Sequence, residues 1–184
     1  EQEIFSMEEL IQAFSLEKVN KSGAKFNPEK AKWYNKEYLR RHSDKELAEG
    51  FLPILKSNSV EADAAFVERV VSLIKERATF VSDFWNISHY LFKAPETYDE
   101  KDSAKFWKSE NVEPALKAAA FVSSYQGPLT RESIGSSLED YIRENGWPMG
   151  KVMNCLRLAL TGSGSGLGIA DIICFIGKEE FSKR

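Results

Sequence analysis

The chain has 184 residues, of which 42 % are hydrophobic and 29 % charged, and a net charge of −3. That is enough apolar material for a real core in one large or two small domains. No run approaches the ~18 consecutive apolar residues of a membrane helix. The opening Glu1-Gln2-Glu3 does not read as a secretory leader and, lacking Met, reads as part of something longer.

Taken in order, the periodic stretches are helical. Ser6 with Glu9 forms a capping box ahead of Leu10, Ile11 and Phe14. Asn27-Pro28 supplies an N-cap and a pre-set first helical residue, predicting a helix to about Arg41 that buries Ala31, Tyr34 and Tyr38 or Leu39. Ser43 and Glu46 make a second capping box before Leu47, Phe51 and Leu52, with Pro53 expected to kink or end that helix. Ala62, Phe66, Val70 and Leu73 recur at helical spacing, and Phe84 to Phe92 reads as the next helix.

The polar stretch Lys93–Asp102 carries four acids and is the best candidate for a domain boundary. Beyond it, Glu113-Pro114 is expected to open a helix through Val122, broken at Gly127-Pro128. Thr130 caps one carrying Ile134, Leu138, Tyr141 and Ile142, which Gly146 ends as a left-handed residue. Met149 to Leu160 is helical, Thr161–Gly168 is rich in Gly and Ser, and a last helix is expected from Ile169 to Ile176, ending at Gly177. Strand-like alternation is essentially missing, so the fold class is all-α.

Charge is unevenly spread. Residues 1–17 sum to −5, 18–45 to +6, 46–142 to −6 and 143–184 to +2. Two positive stretches therefore flank an acidic middle, although charge runs are more often plain solvated faces. Cys155 and Cys174 lie in apolar surroundings and read as buried thiols of a reducing compartment. His42 and His89 are the only histidines, and neither has metal-ligand spacing. The segment Gly162–Gly168 is no phosphate loop: it matches neither GxxxxGK[ST] nor GxGxxG in register, and a helix precedes it. On composition alone it is a flexible inter-helix loop. Trp33, Trp85, Trp107 and Trp147 are read mainly as core residues, with base stacking as the alternative use.

Two motifs carry a resemblance. The run KSGAKFNPEKAKWYNKEYLR (21–40), with MEELIQAFSLEKV (7–19) before it, resembles the segment after the catalytic domain of bacterial glutamyl-tRNA synthetases. At the far end, LRLALTGSGSGLGIADIICFIGKE (156–179) is similar to that family's ending. The resemblance spans essentially the whole chain and is weakest from Lys93 to Ala115.

It implies two consecutive helical anticodon-binding domains of the α-helical cage type, 42–100 and 101–184, preceded at 1–41 by the tail of a stem-contact region. It further implies Arg77 as the reader of the third anticodon base and Arg157 as a contact to the others. Thr161, Gly166, Leu167 and Ile169 fall in the anticodon-reading loop, where Gly166-Leu167 stands in place of a Thr-Pro pair. Lys21, Lys25, Lys32, Arg40 and Arg41 are the expected phosphate contacts. The implied partner is glutamate tRNA, with no membrane and no DNA, for a monomeric cytoplasmic parent enzyme. ATP and Mg belong to a catalytic domain whose HxGH-like and KMSKS-like elements do not occur in these residues. Hence no cofactor and no glutamate activation are expected on this chain itself. The competing reading is a helical protein-interaction module without RNA specificity.

Overall fold

In a computed structural model describing residues 2–19, 23 and 25–184, every regular element is a helix. In chain order these are α1 (Met7–Ala13), a 3₁₀ turn (Leu16–Lys18), α2 (Pro28–Arg41), α3 (Asp44–Ser57), α4 (Ala64–Ile74), a second 3₁₀ turn (Lys75–Arg77) and α5 (Asp83–Phe92). Beyond these lie α6 (Glu100–Phe106), α7 (Ser109–Ser124), α8 (Arg131–Glu144), α9 (Met149–Thr161) and α10 (Ile169–Lys183).

The caps set most helix starts. Ser43 Oγ accepts from the Glu46 amide at 3.2 Å while the Ser43 amide donates to the Glu46 carboxylate at 3.0 Å, so two groups that a helix end leaves unpaired are satisfied reciprocally. Ser43→Ala should therefore lower stability by about 0.5–2 kcal/mol in urea denaturation with the slope unchanged. An unshifted midpoint would mean water replaces the cap at no cost. Ser6 caps α1 in the same way, yet α1 buries nothing: Leu10, Ile11 and Phe14 are all exposed.

The chain packs as two units, residues 1–87 and 88–184, with the division inside α5. The divisions expected at 41/42 and 100/101 lie inside these units. In the first, Leu39 of α2 is buried and Arg40 is tied to Glu76 of the second 3₁₀ turn, so α2 belongs with the helices C-terminal to it. In the second, the stretch read as a boundary is held down, because Asp99 N–H donates to the Gly162 carbonyl at 2.8 Å.

The first unit is built on α3 against α4. Phe51 and Phe84 meet edge to face, ring centroids 5.5 Å apart, over Leu55, Val67, Val70, Val71 and Ile74. The buried stripe of α4 is thus Val67-Val70-Val71-Ile74; Phe66 and Leu73, expected to face inward, lie half-buried at its edge. Of the α2 candidates, Leu39 is buried and Tyr38 is exposed.

Pro53 neither ends nor interrupts α3, which runs on to Ser57. The carbonyl it deprives of a partner is that of Glu49, and both residues are on the exposed face, where solvent is within reach of that carbonyl.

The second unit packs α7, α8, α9 and α10 around Ala118, Val122, Ile134, Leu138, Ile142, Val152, Leu158, Ile172 and Ile173. Helix α7 begins at Ser109, five residues before the Pro expected to open it. Its start is fixed instead by buried Asn111, whose side chain donates to the Phe106 carbonyl at 3.1 Å. Gly146 closes α8 in a left-handed conformation, with the Gly146 and Trp147 amides returning to the Arg143 and Ile142 carbonyls. Gly177 breaks α10 as expected, at φ 79°, but the helix resumes and buries Phe181.

Candidate nucleic-acid interface

The glycine-rich segment after α9 is held by four separate ties, which removes the reading of a flexible linker. Thr161, 3 % exposed, is its hub: its hydroxyl lies 2.9 Å from the Arg157 carbonyl and 2.8 Å from the Ser163 carbonyl, and accepts from the Ser163 amide at 3.2 Å. The Gly164 amide donates to the Asp102 carboxylate at 2.6 Å and the Leu167 amide to the Tyr90 hydroxyl at 2.9 Å. The fourth tie is the Asp99 amide on the Gly162 carbonyl. Buried backbone groups need such partners, and here they come from α5, α6 and the N-cap of α6. Nothing in the sequence around Tyr90, Asp99 or Asp102 marks them as loop braces; they become so only through the fold.

Inside this frame the residues expected to touch RNA divide into two sets. The side chains of Leu167 (1 % exposed), Ile169 (3 %) and Thr161 point into the protein and shape the loop from below. Ser165 and Gly166 are exposed at its crest, where Gly166 at φ 143° takes a conformation that side chains disfavour. A Cβ there would stand 3.0 Å from the Tyr90 hydroxyl. Arg157, half-buried on α9, sends its Nε toward the Leu167 carbonyl at 3.4 Å and its Nη1 to Asn154 Oδ1 at 2.8 Å. Its guanidinium is therefore pre-oriented by the loop itself, with its remaining N–H groups available for a ligand. Asp171, at the start of α10, is buried and pairs with Arg131 at 3.3 Å.

In the first unit, Arg77 ends the 3₁₀ turn after α4 and is exposed. Its neighbours are fixed: Lys75 pairs with Asp44 at 2.6 Å, and Glu76 with Arg40 Nε at 2.7 Å. Arg40 also pairs with Glu37 at 2.9 Å, so in the free protein it ties α2 to the turn. Lys32 pairs with Glu29 on its own helix at 3.0 Å, an exposed pair of small energy that leaves it open to exchange partners. Lys25 and Arg41 are exposed. Lys21 lies outside the described residues.

Of the tryptophans, Trp33 and Trp107 are exposed and Trp85 and Trp147 half-buried, so none is a fully buried core residue. Trp107 Nε1 donates to the Cys155 carbonyl at 3.4 Å. Both cysteines are free; Cys155 is buried as expected, Cys174 is only half-buried, and desolvation pushes both thiol pKa values up. Among the described residues no three His, Cys, Asp or Glu side chains gather to hold a metal ion, and no helix is long and apolar enough to cross a membrane.

The family model described as an anticodon binding domain matches residues 46–184. A glutamate–tRNA ligase of Flavobacterium psychrophilum is 45 % identical over 184 residues, covering all of this chain and 36 % of that protein. The corresponding ligase of Parabacteroides distasonis is 40 % identical, with the same coverage. The crystal structure of a glutamate tRNA ligase from Elizabethkingia meningosepticum, in complex with its amino acid, superposes with a TM-score of 0.90 at 40 % identity, over 99 % of this chain and 36 % of that one. The chain thus spans a little over a third of the length of the relatives it matches.

Proposed function

Because this chain belongs to the anticodon binding domain family, we propose that it reads the anticodon of glutamate tRNA as part of a glutamate–tRNA ligase. The observation that carries the reading is the braced 161–169 loop, with Arg157 oriented by that loop's own carbonyl. RNA sequence is read where bases are unpaired and splayed, and an anticodon loop presents such bases. A rigid loop crest of Ser165 and Gly166 lets backbone groups approach a base edge closely, and a held guanidinium donates to one with little ordering cost. Arg77 contributes a second guanidinium, assigned to the third anticodon base. The exposed cations Lys25, Lys32 and Arg41, with Lys21, meet phosphates and carry no sequence information.

In this reading the intact protein is a cytoplasmic monomer that joins glutamate to its tRNA, using ATP and Mg held by residues outside these 184. The test is equilibrium binding of glutamate, glutamine and unrelated tRNAs at two salt concentrations. Glutamate tRNA is expected to bind best, with log K falling as log salt rises by roughly 0.7–0.9 for each phosphate neutralised. Equal binding of all three tRNAs, or binding indifferent to salt, rules the reading out.

A further inference from the structure

Helix α2 places Asn35, Tyr38 and Leu39 along one face, and with its C-cap His42, Glu46 and Leu47 of α3, and Phe80 and Val81 of the turn before α5 they line a cavity of about 450 Å³. We propose that this cavity receives an unpaired nucleobase of the bound RNA, stacked on Phe80. The proposal rests on the anticodon-binding reading and adds a base-binding subsite to it.

Phe80 is 43 % exposed, yet its backbone is fixed. The Thr79 and Phe80 amides both donate to the Asp83 carboxylate at 2.9 Å, and Asn35 donates to the Thr79 carbonyl. A large apolar ring left 43 % exposed on a fixed backbone gives up part of the burial it could gain in the free protein, whereas an aromatic on a fixed backbone is what a base needs for stacking at low ordering cost. The rest of the lining is mixed. Tyr38 adds a second partly exposed ring, and His42 and Glu46, 3.6 Å apart, place hydrogen-bonding groups at one side. Such a lining suits a base, with an aromatic face and a polar edge, better than an aliphatic segment.

Charge supports the same occupant. Residues 28–41, which form α2, carry Lys30, Lys32, Lys36, Arg40 and Arg41 against Glu29 and Glu37, so the cavity opens on the most basic element of an otherwise acidic chain. A strand whose phosphates track that helix would bring its bases to this face. Phe80 also lies three residues beyond Arg77, so one turn of chain offers both a stacking ring and a guanidinium.

The test is binding of an anticodon stem-loop RNA to the wild-type chain, Phe80→Ala and Phe80→Trp, with each loop nucleotide replaced in turn by an abasic one. Phe80→Ala is expected to weaken binding by roughly 5- to 150-fold, the span of one base–aromatic stack, while Phe80→Trp retains it. One abasic position should weaken wild-type binding by the same factor and leave Phe80→Ala no weaker than before. Melting temperature should fall only slightly in Phe80→Ala, since the ring is 43 % exposed and its backbone is held independently by Asp83. Unchanged binding by Phe80→Ala, or losses that multiply at every abasic position, would overturn the subsite. Failure of the anticodon reading itself looks different: the wild-type chain would then show no preference among tRNAs.

Discussion

Gly162→Ala is expected to destabilise the 88–184 unit by roughly 2–5 kcal/mol, more than most surface substitutions in a helical protein. Gly162 closes α9 at φ 80°, a left-handed conformation that costs a residue with a Cβ about 1–2 kcal/mol. The added carbon would also stand 2.7 Å from the Thr97 carbonyl oxygen, and backbone cannot rotate away as a side chain can. Relief requires the Thr97–Asp99 segment to move, at the expense of the Asp99–Gly162 hydrogen bond. Gly146→Ala separates the two effects. Gly146 has φ 68° with nothing within 4 Å, so it should lose only the conformational part. Urea denaturation of the two variants, with amide exchange read on α9 and α10, makes the comparison. Equal losses at both positions would show that the Thr97 segment yields freely and that the loop is not braced as described.

That bracing also marks where the sequence stops being informative. The helices announce themselves locally: Ser43 with Glu46, Asn27 before Pro28 and Thr130 before α8 satisfy orphan amides within one turn, and the structure shows each of them doing so. Ends set by tertiary ties are not written locally. Pro114 carries the helix-opening signal, but buried Asn111 starts the helix earlier. Pro53 carries the breaking signal, but the carbonyl it orphans lies on the exposed face. The stripe of α4 slips by one residue because Phe66, Val67, Val70 and Leu73 are all apolar, and only packing on α3 decides which of them face inward. The glycine-rich loop reads as slack for the same reason. Its braces, Tyr90 and Asp102, are 77 and 62 residues from the amides they hold. Burial divides the expected site as well. Resemblance identifies a loop as one object, whereas the structure separates the inward Thr161, Leu167 and Ile169 from the outward Ser165, Gly166 and Arg157.

If the proposed reading holds, Arg77→Gln, made in the full-length protein, is expected to lower its preference for glutamate over glutamine tRNA by about 1–3 kcal/mol, the worth of one good base contact. An arginine offers paired donors to a cytosine edge, and a shorter neutral amide loses both the reach and the charge. The surrounding turn should survive the change. Lys75 and Glu76 of the same turn are tied to Asp44 and Arg40, and these two ion pairs remain in the variant. Its stake in stability is that of a cation near a helix C-terminus, about 0.3–1 kcal/mol. The measurement is the ratio of kcat/KM for the two tRNAs, with thermal melting of the same preparations. Discrimination left intact while melting falls would make Arg77 a structural residue and withdraw it from the reading site. Arg157→Ala is the matched control. Its guanidinium is set against the 161–169 loop rather than beside the α4 turn, so it should weaken both tRNAs alike and leave their ratio unchanged. If instead Arg157→Ala shifts the ratio and Arg77→Gln does not, the two arginines have exchanged roles, and the third anticodon base is read by the loop.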